Sequence, residues 1–301
     1  WEQAAKELHG SGIELQRAGE AGVPEPANWL AEHLPAQSRV VLDSQSVSAQ
    51  SLLAWQKATP ELEWVLEADL LSPIWTDRPA APVGQVVEHR PPFACRTRQE
   101  NLSSTRAAMQ EQGAHWHLLS ALDDIAWTLN LRGSDVSYNP VFLSYLLIGP
   151  DQAFLFVDGN KLSAGIQEAL AADGVQVQGY TELSSFMRAL PASMPILLDM
   201  ARTTAWAAQL AAHLNVVEYI NPAQLLKSSK TDAELDHVRE TMEKDGAALC
   251  EFFAWFEQQS DVNELDVDEH ICAARARQEG FVSPSFGINI SLTIFNLLVL
   301  S

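Results

Sequence analysis

Two histidines lie close enough in the sequence to suggest a metal site. His115 and His117 are separated by one residue, which would place both imidazoles on one face of a β-strand. A metal site needs further ligands, and neither an acidic residue nor a cysteine accompanies the two histidines at ligand spacing. Histidines that pack or form hydrogen bonds are therefore the favoured interpretation, with metal binding as the alternative.

An adjacent pair of acids, Asp123 and Asp124, could act in acid–base chemistry. Consecutive residues of a helix point about 100° apart, however, so the two carboxylates cannot easily share a site. Carboxylates are common in the first turn of a helix, where they interact favourably with the helix dipole. The pattern favours the start of a helix, with Ser120 as its N-terminal cap.

A second acidic cluster consists of Asp266, Asp268, Glu269 and His270. Asp266 and His270 are four residues apart and would share one helix face, as metal ligands could. Acids are again expected in a first helical turn. We therefore predict that Asp266 caps a helix over 267–279, which ends at Gly280, and favour this structural role over a metal site.

The strongest candidate for a functional segment lies at residues 122–142 and reads LDDIAWTLNLRGSDVSYNPVF. The pattern predicts a helix that ends in a loop rich in Gly, Ser, Asp, Asn and Pro, with Arg132 at its head and an apolar element after it. Loops held by a rigid scaffold often bind substrates or carry catalytic groups. The residues alone leave both a functional loop and a purely structural turn open.

Alternating helix and strand signals surround this loop. Apolar spacing predicts helices over 99–112, 162–172, 182–190 and 203–213, and strands over 115–119, 175–178, 196–199 and 216–218. Turn residues at 149–152 separate the apolar runs 142–148 and 153–157, as in a β-hairpin. Earlier in the chain, residues 39–42 are predicted to form a buried strand. The alternation is typical of an α/β domain whose sheet is covered by helices.

A long helix is predicted near the end of the chain. Thr231 and Glu234 have the spacing of a capping box, and the apolar pattern continues to about residue 259. Its apolar side chains include Leu249, Phe252, Phe253 and Phe256. We expect these to be exposed, because no sheet-forming sequence follows to cover them, and exposed apolar patches favour association.

Prolines mark a boundary between two parts of the chain, at positions 73, 79, 82, 91 and 92. Proline has a fixed φ and no N–H, so a cluster of prolines suits an extended connector. We therefore divide the chain into residues 1–72, a connector over 73–94, an α/β domain over 95–222 and a final segment over 223–301.

The composition argues against several classes of protein. The 301 residues are 47% apolar and 19% charged, which indicates a globular chain. The net charge of −20 argues against nucleic acid as a partner, and no basic amphipathic stretch suggests a membrane surface. The longest apolar run, 288–300, is shorter than the roughly 20 residues of a membrane span. Three cysteines without disulfide or metal spacing favour reduced thiols and a cytoplasmic location.

Several segments carry a resemblance to one family. Residues 122–149, LDDIAWTLNLRGSDVSYNPVFLSYLLIG, closely resemble the second-domain signature of Xaa-Pro aminopeptidases, the aminopeptidase P family of creatinase-like metallopeptidases. Residues 72–79, SPIWTDRP, resemble the family's inter-domain connector. Residues 226–255 are similar to the segment that leads into the catalytic domain, and residues 266–286 to the helix and strand start that follow.

The resemblance implies an α/β fold with two creatinase-N-terminal-like domains. Residues 1–72 would be the C-terminal part of the first, 95–222 the whole second, and 223–301 the opening helices of an incomplete pita-bread catalytic domain. It implies a hydrolase, a metallo-aminopeptidase that removes the N-terminal residue from peptides with proline in second position. Two divalent metal ions, usually manganese, and a cytoplasmic homodimer are implied as well. We expect Arg132, Asp135 and Tyr138 to border the substrate cleft and position the substrate or a neighbouring domain.

The sequence departs from the family pattern after Gly287. The family continues with a strand rich in Gly, Ala and Asn, a substrate-binding His and five metal ligands, whereas this chain reads INISLTIFNLLVLS. No catalytic residue or metal ligand can be mapped onto it, so we expect a fragment, truncated at both ends, that binds no metal and is inactive alone. The alternatives are a non-catalytic relative that acts as an oligomerisation or interaction module, and an unrelated α/β ligand-binding module.

Overall fold

Helices and strands alternate along the computed structural model, which describes residues 1–66 and 71–284. The helices are α1 (Glu2–Glu7), α2 (Pro26–His33), α3 (Ala49–Ala58), α4 (Arg98–Glu111), α5 (Leu122–Leu129), α6 (Ala164–Ala172), α7 (Leu183–Ala189), α8 (Ala205–Leu210), α9 (Pro222–Ser228), α10 (Asp232–Phe256) and α11 (Glu264–Ala276). The strands are β1 (Arg39–Val41), β2 (Glu63–Val65), β3 (Val87–Glu88), β4 (Trp116–Leu119), β5 (Leu131–Arg132), β6 (Ser144–Ile148), β7 (Ala153–Val157), β8 (Val175–Gly179), β9 (Pro195–Leu198) and β10 (Asn215–Glu218). The expected departure after Gly287 and the apolar run 288–300 lie outside the described residues.

The helices and strands predicted between residues 95 and 222 are confirmed, with ends that shift by a few residues. Local apolar spacing therefore specifies these elements. The described chain forms two units, one from residues 1–81 and 184–219, the other from 82–183 and from 220 onward. The four-part division made from the sequence stays a prediction. No helix within residues 1–66 and 71–284 is both long and apolar enough to span a membrane.

Two parallel strand pairs organise the first unit. β1 pairs with β2, and β9 pairs with β10. Ser48 and Thr204 form an isolated bridge, and each caps the helix that follows it by accepting a backbone N–H. The prediction that residues 39–42 form a buried strand is wrong in its burial, because β1 has a single parallel neighbour and Val41 is 37% exposed.

A four-stranded arrangement in the order β4, β6, β7, β8 forms the centre of the second unit. β4 and β6 are antiparallel, β6 and β7 form the predicted hairpin, and β7 and β8 are parallel. Every residue of β6 and β7 is buried, as expected for strands covered on both faces. α5 packs on β4 and β6, and α6 packs on β8. The loop that follows α5 therefore joins a helix that packs on the sheet to the fully buried strand β6.

The cap predicted for α5 is wrong. The N-cap residue is Ala121, whose side chain makes no capping hydrogen bond. Ser120 still belongs to the segment leaving β4, and its Oγ is buried without a hydrogen-bond partner among the described residues. The carboxylates of the first turn, Asp123 and Asp124, are present as predicted.

The last two helices, α10 and α11, pack on each other. Two expectations about them are wrong. Thr231 and Glu234 form the predicted capping box of α10, but α11 begins earlier than expected, with Asn263 as cap and Asp266 as its capping-box partner. Phe252 is buried against α11, where it contacts a cluster that includes Val267, Ile271, Leu249 and Phe256. The expectation that all four apolar side chains of α10 are exposed is therefore wrong, because α11 supplies the missing cover. Phe253 alone of the four is as exposed as expected, at 47%.

Candidate functional site

A short antiparallel ribbon carries the head of the polar loop. Val87 in β3 lies opposite Arg132 in β5, and the backbone N–H of His89 donates to Asn130 O at 2.8 Å. Side chains alternate along a strand, so Val87, His89 and Arg132 share one face of the ribbon. β3 falls within residues 73–94, which the prolines predict to be an extended connector, because they obscure its short strand signal.

The end of α5 fixes the direction in which the chain enters this ribbon. Asn130, the C-cap residue, has a φ of 51°, in the left-handed region that asparagine tolerates better than most residues. Its Nδ2 donates to Arg96 O at 2.6 Å. The Arg96 guanidinium in turn lies over the ring of Trp127. The turn is therefore held by side chains of both flanking segments.

Gly133 allows the two sides of the loop to approach closely. Its N–H donates to Pro140 O at 3.2 Å, and the N–H of Asp135 donates to Val141 O at 3.1 Å. A Cβ at position 133 would lie 2.7 Å from Phe142 Cβ and 2.9 Å from Val141 O, closer than real Cβ contacts. The sequence motif thus contains a glycine where no side chain fits.

Arg132 is half-buried and attached to the end of α5. Its Nη1 donates to Ala126 O at 3.0 Å and to Leu131 O at 2.9 Å. A cation near helix C-terminal carbonyls is favourable because the helix dipole is negative there. Burial lowers the pKa of the Arg132 guanidinium from its usual value. Within residues 1–66 and 71–284 no carboxylate lies within salt-bridge distance of it.

Asp135 points inward and holds the loop to the core. Its Oδ2 accepts hydrogen bonds from Lys161 Nζ at 2.5 Å and from Leu143 N at 2.7 Å. The Asp135 and Lys161 side chains are 0% and 4% exposed, so this is a buried ion pair. Its Oδ1 is buried without a hydrogen-bond partner in the described part of the chain. A Cβ at Gly84 would collide with Ser134 Oγ, so the segment before β3 also lies against the loop.

Tyr138 lies at the exposed tip of the loop. It is 51% exposed and has a φ of 64°, in the left-handed region. Val136 and Asn139 form a bridge across the tip. The three residues predicted to border a substrate cleft therefore lie in one loop but differ in direction: Asp135 is internal, Tyr138 faces solvent, and Arg132 is intermediate. Their role in substrate binding stays a prediction.

His89 is a residue of this site that sequence reasoning missed. The pKa of His89 is lowered, first by burial and then by the positive charge of Arg132, while a hydrogen bond with the Phe93 backbone acts in the opposite direction. His89 also lines a cavity of about 410 Å³ that extends toward α4. In the sequence, the apolar pair before Glu88 is typical of the start of a strand and is the signal that could have placed His89 beside one.

Asp123 and Asp124 do share a partner, contrary to the expectation from helix geometry. Lys227 Nζ lies 2.6 Å from Asp123 Oδ2 and 2.6 Å from Asp124 Oδ1. Asp124 is fully buried, whereas the Asp123 side chain is 45% exposed. A long lysine side chain reaches both carboxylates although they diverge. The pair thus anchors α9 to the start of α5.

His115 and His117 lie in different environments. His117 is fully buried and its Nε2 lies 2.9 Å from Asn221 Oδ1. Asn221 Nδ2 donates to Asp124 Oδ2, so the amide oxygen faces the imidazole, and His117 Nε2 is the donor. His115 precedes β4 and is exposed, so the two imidazoles do not share one strand face. The favoured interpretation, a hydrogen-bonded histidine, is confirmed for His117.

The acidic cluster of α11 also has structural partners. Asp266 completes the capping box, and the His270 ring stacks on Trp255 with centroids 3.5 Å apart. No group of three or more His, Cys, Asp or Glu residues within 1–66 and 71–284 is arranged to hold a metal ion. These described residues therefore do not fit a dinuclear metal centre.

The fold and the loop sequence define a class of protein. Residues 77–234 match the family described as Creatinase/Prolidase N-terminal domain. The crystal structure of the X-prolyl aminopeptidase of Caenorhabditis elegans, described as a cytosolic enzyme with a di-nuclear active site, has a TM-score of 0.89 at 24% identity. The match covers 95% of this chain and 49% of that chain. It confirms the predicted fold class, an α/β chain of creatinase N-terminal type.

Sequence relatives narrow the class. The chain is 31% identical over 306 residues to the probable Xaa-Pro aminopeptidase P of Paracoccidioides lutzii, covering 94% of this chain and 49% of that protein. It is 30% identical over 323 residues to aminopeptidase P2 of Arabidopsis thaliana, covering 94% of this chain and 45% of that protein. The chain belongs to the creatinase/prolidase family and, within it, to the aminopeptidase P group. It spans about half the length of the curated relatives it matches.

Proposed function

We propose that the whole protein containing this chain is a hydrolase that removes the N-terminal residue from peptides with proline in second position. The observation that carries the proposal is the similarity to Xaa-Pro aminopeptidases over 94% of the chain. This chain supplies the domains that shape the substrate cleft. It does not hydrolyse such peptides by itself.

Two divalent metal ions, with manganese as the expected metal, act in the whole enzyme under this proposal. The description of the Caenorhabditis elegans relative as having a di-nuclear active site supports two metals. When bound, such a pair activates water and stabilises the developing oxyanion. The described residues do not fit this centre, so they would not hold these ions.

The loop over residues 132–142 contributes to the substrate cleft. Asp135 fixes its position from inside, through Lys161, while the Tyr138 side chain is exposed and Arg132 is half-buried. A rigid loop with a half-buried guanidinium is suited to positioning a peptide, because a preorganised donor loses little entropy on binding. The loop therefore orients substrate and takes no part in bond breaking.

The proposal also covers the cellular location and the assembly of the enzyme. The three cysteines are free, and the Caenorhabditis elegans relative is described as cytosolic, which supports a cytoplasmic enzyme. A homodimer is proposed as its assembly, with proline-containing peptides as partners and neither nucleic acid nor a membrane among them. The second candidate function is a non-catalytic interaction module. Exposed apolar side chains at three- and four-residue spacing along α10, Leu235, Val238 and Met242, favour it.

Peptide hydrolysis separates these functions. The purified chain, incubated with Mn²⁺ and the tripeptide Ala-Pro-Ala, is expected to release no alanine. The protein that extends this chain to the length of its curated relatives is expected to release alanine, to lose this activity with a chelator, and to leave Ala-Ala-Ala intact. Release by the chain alone would refute its inactivity, and no release by the longer protein would favour the interaction module.

A further inference from the structure

The guanidinium of Arg132 has one edge engaged and one edge open. Both N–H groups of Nη1 point to backbone carbonyls, those of Ala126 and Leu131. Nε and Nη2 meet no acceptor among residues 1–66 and 71–284. These two nitrogens form the edge that binds a carboxylate through two parallel hydrogen bonds. The side chain is therefore fixed in place with its bidentate edge unused.

No described acid lies within salt-bridge distance of Arg132, although the chain carries a net charge of −20. Arg98, which is buried near the ribbon, pairs with Asp173 at 2.5 Å and with Glu88 at 3.5 Å, whereas the half-buried Arg132 pairs with no described acid. Burial of a cation without a countercharge costs free energy, which is why buried arginines are normally paired. Arg132 is thus suited to an anion that the described residues do not provide.

His89 adds a titratable imidazole on the same face of the ribbon. It is diagonal to Arg132, at a separation of roughly 7–8 Å between backbones, within reach of one small ligand group. The carboxylates around His89 are already engaged: Glu88 with Arg90 and Arg98, Glu100 in the capping box of α4, and Asp173 with Arg98. In the described part of this neighbourhood, no acid is left to neutralise the Arg132 guanidinium.

We propose that Arg132 and His89 form a receptor for a carboxylate of the peptide substrate. The Nε–Nη2 edge of Arg132 binds the two carboxylate oxygens, and the His89 imidazole stabilises the same anion from the neighbouring strand. This assignment rests on the proposed function for its ligand class, peptides, and specifies which group of the peptide the loop recognises. It predicts that a peptide with a free carboxylate binds more tightly than the same peptide with a terminal amide.

Burial and, after it, the positive charge of Arg132 lower the pKa of His89, so this pKa in the 301-residue chain reports on the site. Proton NMR follows the imidazole as a function of pH, and the His89→Gln variant identifies its resonance among the eight histidines. Ala-Pro-Ala at millimolar concentration is expected to raise the pKa of His89 by about one pH unit, because a nearby negative charge favours the imidazolium. Ala-Pro-Ala-amide is expected to leave it unchanged. A rise with Ala-Pro-Asp-amide would show that a side-chain carboxylate is accepted as well as a terminal one.

Two variants separate recognition from folding. Arg132→Gln should raise the pKa of His89 in the free chain and abolish the effect of Ala-Pro-Ala. Arg90→Gln, which removes an exposed arginine next to His89, should retain that effect. An absent rise with Ala-Pro-Ala, or an equal rise with its amide, overturns the proposal in the wild-type chain even if Arg132→Gln does not fold. The NMR measurement requires no peptide hydrolysis. Its result therefore does not depend on the outcome of the peptidase assay.

Discussion

Lys161 Nζ lies 2.5 Å from Asp135 Oδ2, and the two side chains are 4% and 0% exposed. The residues are 26 positions apart in the sequence. Asp135 also accepts the N–H of Leu143, so a single carboxylate connects the loop, the residue before β6 and the turn before α6. In a buried pair each charge is tolerated because the other is present. The position of Arg132 and Tyr138 therefore depends on a lysine that lies outside the motif.

Removal of one member of this pair should be costly. Lys161→Met leaves the Asp135 carboxylate buried without its cation, and we expect a loss of about 3–5 kcal/mol in the free energy of unfolding, measured by denaturant titration. The double variant Asp135→Asn with Lys161→Met should lose less than the sum of the single variants, because no uncompensated charge remains. Lys57→Met, at an exposed position, is the control, and an equal loss in both lysine variants would contradict the buried-pair argument.

Substitution of Gly133 should destabilise the loop. In Gly133→Ala the new methyl group meets Phe142 Cβ and Val141 O, and overpacking of this kind costs about 1–3 kcal/mol. A methyl group at Gly246, in the middle of α10, would point into open space, so Gly246→Ala should instead stabilise by roughly 1 kcal/mol. Thermal unfolding of both variants tests the contrast, and the same sign for both changes would refute it.

The two carboxylates that share Lys227 should differ in importance. Asp124 is fully buried and also accepts from Asn221, so we expect Asp124→Ala to cost about 2 kcal/mol or more. Asp123 is 45% exposed, and surface ion pairs contribute only about 0–1 kcal/mol, so Asp123→Ala should be nearly neutral. Urea denaturation of the two variants measures the difference. A larger loss for Asp123→Ala would be inconsistent with this ranking.

The cysteines should react at different rates. The pKa of the Cys272 thiol is raised, first by burial and then by the negative charge of Asp268. A raised pKa leaves less thiolate at pH 8, and the thiolate is the reactive form. Cys250 is exposed, so iodoacetamide should alkylate it before Cys272, as followed by peptide mass spectrometry. Faster modification of Cys272 in the folded chain would contradict the burial that the structure gives it.

Substrate kinetics in the longer protein should reveal the role of Arg132. A hydrogen bond to a charged group is worth about 1.5–3 kcal/mol, so Arg132→Gln should lower kcat/KM for Ala-Pro-Ala by roughly 10- to 100-fold. The effect should lie mainly in KM and be much smaller for Ala-Pro-Ala-amide. Equal losses for acid and amide would assign Arg132 to loop structure only.

The sequence by itself determined the local elements and the family. Apolar spacing placed the helices and strands of residues 95–222, the capping-box residues placed the start of α10, and the motif at 122–149 identified the family. These features depend on backbone geometry and on side chains a few residues apart, which a single sequence records directly. Errors arose where a neighbour in space decides the outcome, as in the cover that α11 gives to Phe252.

Only the tertiary structure decided the partners of the charged residues. Lys227 reaches Asp123 across 104 positions, and His117 meets Asn221 across 104 positions. β3 became recognisable as a strand, and His89 as a neighbour of Arg132, only through pairing with β5. Such contacts are set by the packing of elements that are distant in the chain, because a buried charge takes whichever partner the fold brings within hydrogen-bond distance. The same packing holds the open edge of Arg132 in place, and no local pattern in the sequence records that edge.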